Sequence, residues 1–189
     1  MTREKTRVQT RTPSDGALGV RLTGLAPVAH GAPRILILGS MPGAASLAAA
    51  RYYAHPANRF WPLMARLFPA EAEKLSSPDY GTRLEGLRAA GVALWDTIGS
   101  CERAGSLDSS IRSVTPNDVA GLLARFPTIE TVILNGGKSA AVWRRHAERA
   151  ALAVRPDLRV AALPSTSPAN ARLSLADLEK AWRGFFPLP

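Results

Sequence analysis

Four short apolar runs decide what this chain can become: Ile35-Leu36-Ile37-Leu38, Val92-Ala93-Leu94-Trp95, Thr131-Val132-Ile133-Leu134 and Val160-Ala161-Ala162-Leu163. None alternates cleanly between apolar and polar residues, so each suits a strand covered on both faces. Helical stretches lie between them. Strands joined through helices go with right-handed crossovers, a parallel sheet and helices on both of its faces. The expected fold is α/β, a three-layer αβα sandwich around a central four-stranded parallel sheet.

The stretches between the runs carry helix signals. Thr115-Pro116 reads as an N-cap followed by proline at the first helical position. Val119, Leu122, Leu123 and Phe126 follow at i, i+3, i+4 and i+7. Residues 138–150 form a second helix around Ala141, Val142 and His146. The last helix starts at Ser174, carries the stripe Leu175, Leu178, Trp182, Phe185, and stops at Pro187. Residues 59–68 and 82–90 are further helical stretches. Residues 1–20 hold Arg3, Lys5, Arg7 and Arg11 among polar residues without apolar period, which predicts a flexible basic tail. Residues 21–189 then form a single domain, as a length of 189 residues predicts.

In such sheets ligands bind beyond the carboxyl ends of the strands. The first run is followed there by Gly39-Ser40-Met41-Pro42-Gly43 and the second by Asp96. The third leads into Asn135-Gly136-Gly137-Lys138-Ser139, and the fourth into Pro164-Ser165-Thr166-Ser167-Pro168-Ala169-Asn170. One site built from four strand ends follows. The first loop is a tight turn in which backbone N–H groups can approach a ligand, but its Ser is not central to a G-x-S-x-G elbow. The third ends like a P-loop, yet Val132 stands where its other Gly belongs. Lys138 at a helix start can still hold one phosphate. Tyr52-Tyr53-Ala54-His55-Pro56-Ala57-Asn58-Arg59-Phe60-Trp61 is the densest aromatic and polar cluster. Phe60 and Trp61 read as core, whereas Tyr53 and Asn58 face the site, where such residues stack on and hydrogen-bond a base.

Composition narrows the partners. Twenty Arg and four Lys against 15 acidic residues leave a net charge of +9. That favours a polyanion, and Arg forks suit phosphates, although an Arg-rich chain also reflects a biased genome. The single cysteine, Cys101, excludes an intramolecular disulfide, a four-cysteine iron–sulfur cluster and a zinc ribbon. No apolar run approaches the roughly 20 residues of a membrane span, and no secretory signal follows the basic N-terminus. A cytoplasmic, nucleoid-associated protein of bacterial type is expected.

Gly39-Ser-Met-Pro-Gly43 and Tyr53-Ala-His-Pro-Ala-Asn-Arg-Phe-Trp61 together resemble the uracil-DNA glycosylase superfamily. The run Ala54 to Trp61 is similar to the mismatch-specific uracil/thymine glycosylases, whose first motif is G-I-N-P-G with a catalytic Asn at its third position. Here that position is Met41. The Gly-Ser-Met-Pro-Gly version, Leu94-Trp-Asp96, Ser100-Cys-Glu-Arg-Ala-Gly-Ser-Leu-Asp108 and Leu163-Pro-Ser-Thr-Ser-Pro-Ala-Asn170 look most like the hypoxanthine (DNA-deoxyinosine) glycosylase branch. The resemblance spans about residues 25–186.

It implies hydrolysis of the N-glycosidic bond of a flipped deaminated base, foremost hypoxanthine, by a monomer acting on double-stranded DNA. The alternatives are a uracil or G:U/T mismatch glycosylase and a non-catalytic nucleic-acid binder on the same scaffold. The resemblance implies that Asn58 positions the water; helix capping is its other reading. Gly39, Ser40, Tyr53 and Asp96 would bind the base, with Tyr53 stacking and Asp96 accepting its ring N–H. Ser165, Thr166 and Ser167 match the motif that pinches phosphates and fills the vacated stack, with Asn170, Arg172 and Lys138 as further DNA contacts. This version lacks the bulky Leu wedge and the His of other branches. No metal and no organic cofactor is implied.

Overall fold

The four apolar runs become the four strands of one parallel sheet. The computed structural model describes residues 21–186; the basic tail and Pro187 lie outside the described residues. Along the chain run strands β1 (Arg21–Thr23) and β2 (Ile35–Gly39), helices α1 (Ala44–Ala49), α2 (Phe60–Leu67), α3 (Ala72–Leu75) and α4 (Tyr80–Ala89), strands β3 (Val92–Asp96), β4 (Ile98–Glu102) and β5 (Arg112–Pro116), helix α5 (Val119–Arg125), strand β6 (Thr131–Asn135), helices α6 (Gly137–Val142) and α7 (Glu148–Val154), strand β7 (Arg159–Leu163) and helix α8 (Leu175–Arg183). The main sheet has the order β3-β2-β6-β7, with every pair parallel.

Successive side chains of a strand point to opposite faces, so unbroken apolar runs supply two cores. On one face Ile35, Ile37, Leu94 and Ile133 pack against Phe60, Leu63 and Met64 of α2 and Leu178 and Trp182 of α8. On the other, Leu36, Leu38, Val132 and Leu134 meet Val119, Leu122 and Leu123 of α5 and Trp143 beyond α6. This is the expected three-layer sandwich. One strand departs from the expectation of double coverage: in β7 Arg159, Val160 and Ala162 are exposed. β7 is the sheet's edge, and only Ala161 and Leu163 face the core.

The helix signals hold at α8, where Ser174 and Asp177 form a reciprocal capping box. They fail at Thr115-Pro116. Both residues lie in β5, and α5 is capped instead by Asp118, whose carboxylate accepts from the Gly121 N–H at 2.9 Å. β5 belongs to a second, antiparallel sheet of order β1-β4-β5 that sequence periodicity does not reveal. Its strands are short and half-exposed, and their Arg, Ser and Thr residues blur the alternation. The helix expected over 138–150 extends from Gly137 to Val154, with a π-helical turn at Trp143–Ala147 between α6 and α7. Beneath the small sheet a third cluster gathers Met41, Ile98, Cys101, Ile111 and Val142. Among the described residues no helix is long and apolar enough to cross a membrane.

Candidate active site

Parallel register brings the carboxyl ends of the strands together. Gly39 pairs with Asp96, and Asn135 with Leu163. The loops that leave them enclose a cavity of about 530 Å³, within the range of small-molecule sites. Gly39, Ser40, Tyr53, Asn58 and Asp96 line it, and so do Ser165, Thr166, Ser167 and Asn170. Lys138, half-buried on α6, and Arg172, exposed just past the last loop, lie outside the lining.

Asp96 ends β3 on the cavity wall. Its carboxylate lies so close to Gly39 that a Cβ there would strike it, so this position requires glycine. Asp96 is 4% exposed and its Oδ2 has no hydrogen-bond partner. Burial pushes its carboxyl up to about 7; the Asp108 carboxylate adds to the rise and the Arg103 guanidinium opposes it. The backbone around it is fixed from both sides. Thr97 N–H and Oγ1–H donate to the Gly39 carbonyl at 2.9 and 3.2 Å, and Asn117 Nδ2 donates to the Asp96 carbonyl at 2.9 Å.

Tyr53 adopts the left-handed backbone region at φ 54°, a conformation that disfavours a bulky residue. The surroundings hold it there. Its ring stacks on Phe60, with centroids 3.8 Å apart and planes 14° off parallel. Its hydroxyl accepts from Asn135 Nδ2 at 3.2 Å. The same Nδ2 donates to Thr166 Oγ1 at 3.0 Å, while the Thr166 N–H donates to Asn135 Oδ1 at 3.0 Å. Burial, and next the Asp96 charge, raise the Tyr53 phenol well above its ordinary range, so it keeps its proton to donate.

Asn58 Oδ1, one residue before the N-cap Arg59, accepts from the first helical N–H of α2, that of Phe60, at 3.0 Å. A carbonyl oxygen has a second lone pair, and Asn58 is only half-buried. Next to it, Arg59 binds two loops together. Its guanidinium donates to the carbonyls of Ser167 at 2.9 Å, Asn170 at 2.7 Å and Leu173, and its N–H donates to that of Thr166 at 3.1 Å. The 165–170 loop is also braced internally: Ser167 N–H donates to Ser165 Oγ, and Asn170 Nδ2 to the Ser165 carbonyl. Thr166 is fully buried. Gly136 approaches this loop at φ 102°, and a Cβ there would sit 2.8 Å from that of Ser165.

Another part of the wall comes from residues 104–110, between β4 and β5. Ser106, Leu107 and Asp108 line the cavity. Three bonds tie this loop and its root to the Gly39–Gly43 turn: Ser40 Oγ–H to Asp108 Oδ1 at 2.8 Å, Ala44 N–H to Ser106 Oγ at 3.1 Å, and Arg103 Nη2–H to the Pro42 carbonyl at 2.6 Å. Met41, at the third position of that turn, also lines the cavity, while at 6% exposure it packs into the core under the small sheet. Ser106, Leu107 and Asp108 were not singled out from sequence, nor were Asn135, Arg59 and Arg103. Asn135 is the third strand's last residue and carries the same positional signal as Asp96. Arg59 and Arg103 look like any of the twenty arginines until the fold supplies their carbonyl partners.

A family model for the uracil DNA glycosylase superfamily matches residues 28–186. A hypoxanthine DNA glycosylase of Methanosarcina acetivorans is 34% identical over 152 residues, covering 80% of this chain and 89% of the relative. A hypoxanthine DNA glycosylase of Methanosarcina barkeri is 37% identical over 116 residues, 61% of this chain and 72% of the relative. The solution NMR structure of a candidate uracil DNA glycosylase from Methanosarcina acetivorans aligns with a TM-score of 0.71 at 28% identity, over 87% of this chain and 98% of that one.

Proposed function

The chain belongs to the uracil DNA glycosylase superfamily, and from that premise we propose that it is a DNA glycosylase that removes hypoxanthine from deoxyinosine sites in duplex DNA. The observation that carries base recognition is the buried Asp96 carboxylate, with one oxygen unpartnered, on the wall of the cavity. An ionised carboxylate only accepts hydrogen bonds. Hypoxanthine N1–H fills the open acceptor, as uracil N3–H also would, so the choice of hypoxanthine rests on the relatives. The names of the two archaeal relatives support the same substrate.

The target nucleotide must leave the stack before any side chain reaches its anomeric carbon. The Tyr53 ring, backed by Phe60, offers the extruded base a flat platform. The Gly39 and Ser40 backbone faces the base carbonyl. Asn58, held against α2 by its capping bond, uses its remaining lone pair to orient a water toward the anomeric carbon. The amide is too weak a base to take the proton early, so its contribution is positioning. Ser165, Ser167, Asn170, Arg172 and Lys138 hold the flanking phosphates, while Thr166 acts from inside by fixing Asn135.

Labelled duplexes bearing inosine, uracil, xanthine or a G:T mismatch, treated with protein and then alkali, test this reading. Strand cleavage at inosine is the expected result. Cleavage confined to uracil or G:T would replace it with a mismatch glycosylase. Cleavage of none would leave a nucleic-acid binder.

A further inference from the structure

Extruding a base from duplex DNA leaves a hole in the stack, and apolar side chains wedged between base steps are a recurrent way to open and hold such a step. The 165–170 loop carries no large apolar side chain. The 104–110 loop does. Leu107 is 62% exposed, the most exposed large apolar side chain among the described residues, and it borders the cavity. The two others, Val154 at the end of α7 and Val160 on the edge strand β7, lie outside the lining.

A single exposed leucine is ordinary on a protein surface. This one differs in how it is held. Gly105 turns the chain at φ 67°. Ser110 then donates from both N–H and Oγ–H to the Leu107 carbonyl, at 3.1 and 2.8 Å. The residues on either side are tethered: Ser106 Oγ accepts from the Ala44 N–H, and Asp108 accepts from Ser40. The leucine is therefore presented at the cavity rim on a braced loop, with little conformational freedom left to lose on contact.

We infer that Leu107 is the side chain that enters the duplex and occupies the stack vacated by the flipped nucleotide. The inference rests on the glycosylase reading for its substrate, and its test separates the two. Wild type, Leu107→Ala and Leu107→Met are compared in single turnover on deoxyinosine in a duplex and in the same strand alone. A lone strand has little stack to refill. Leu107→Ala should thus lose about tenfold more excision on duplex than on single strand, and Leu107→Met should recover most of that difference. A second readout needs no chemistry. 2-Aminopurine beside a tetrahydrofuran abasic-site analogue in a duplex should brighten when wild type binds, and much less with Leu107→Ala at saturation. Equal losses on both substrates, or the same brightening with both proteins, would overturn the wedge. If wild type excises nothing from either substrate, the glycosylase reading fails, and the fluorescence comparison alone decides the role of Leu107.

Discussion

Replacing Asp96 by Asn should make the protein more stable at pH 8 relative to wild type than it is at pH 5, while impairing excision. Asp96 is buried, one of its oxygens is unpartnered, and its carboxyl is pushed from an ordinary 3.8 up to about 7. An acid whose folded value is raised binds its proton more tightly in the folded state. Its stabilisation is complete below the unfolded value and is lost as pH rises through the folded value. Wild type should therefore lose about 1.4 kcal/mol for each pH unit between roughly 4 and 7, and nothing further above that. Between pH 5 and pH 8 the loss is about 3 kcal/mol, an upper figure because water in the cavity softens it. Asn does not titrate, so the variant escapes this loss. It brings an unpaired buried amide worth about 1–3 kcal/mol against it, but at every pH alike. The diagnostic is thus the change in the difference. Urea denaturation of both proteins at pH 5 and pH 8 measures it, and parallel pH profiles would refute the assignment of an uncompensated buried carboxylate. Excision at pH 8 should fall about tenfold, the gap between a charge-assisted and a neutral hydrogen bond to N1–H. Wild-type excision should rise with pH through about 7 as the carboxylate forms.

Other perturbations separate the remaining roles. Asn58→Ala should lower single-turnover excision by roughly 10²–10⁴-fold and, through the lost capping bond, cost about 0.5–2 kcal/mol of stability in thermal melting; full turnover with a lowered melting point would leave Asn58 as a cap alone. Met41→Asn restores the amide of the mismatch enzymes, yet the side chain lies in the core under the small sheet, so it should destabilise by about 1–3 kcal/mol without adding uracil excision. A gain of uracil excision would show that position 41 reaches the substrate. Duplex binding should weaken by about 0.9 log units per log unit of salt for each phosphate neutralised, and salt-independent affinity would contradict the polyanion reading of the +9 charge.

The parallel sheet and the location of the site are legible in the sequence because they rest on side-chain identity repeated over whole strands. Ile35 to Leu38 can be buried only if both faces of β2 are covered, and parallel register then carries Gly39 to Asp96 and Asn135 to Leu163. The small sheet is not legible for the converse reason. Arg112-Ser113-Val114-Thr115-Pro116 has no apolar face of its own and becomes a strand only because β4 supplies hydrogen bonds. Thr115-Pro116 is locally a sound helix start, but tertiary pairing outweighs a capping preference of about 1 kcal/mol. The same limit hides Arg59 and Arg103. Their carbonyl partners lie far away in sequence, at residues 166–173 and at Pro42. Met41 fits the first motif's spacing while its side chain serves the third cluster, a use that spacing alone does not disclose.

The cavity's two walls hang from different sheets, joined at β3 and β4 by the single residue Thr97. That division separates two properties that protein engineering usually finds entangled. Gly39 and Asp96, proposed here to contact the base, end strands buried on both faces, where insertions would break the core. The segment that carries the proposed wedge is a loop between two antiparallel strands, anchored with its root to residues 40–44 by three hydrogen bonds. Loops of this kind accept changes of length and sequence at small entropic cost. Grafting alternative 104–110 segments that keep Asp108, which bonds Ser40 and acts on the Asp96 carboxyl, onto an unchanged sheet should therefore vary the grip on DNA architecture, single strand, duplex, bulge or end, with little change in the chemistry of base choice.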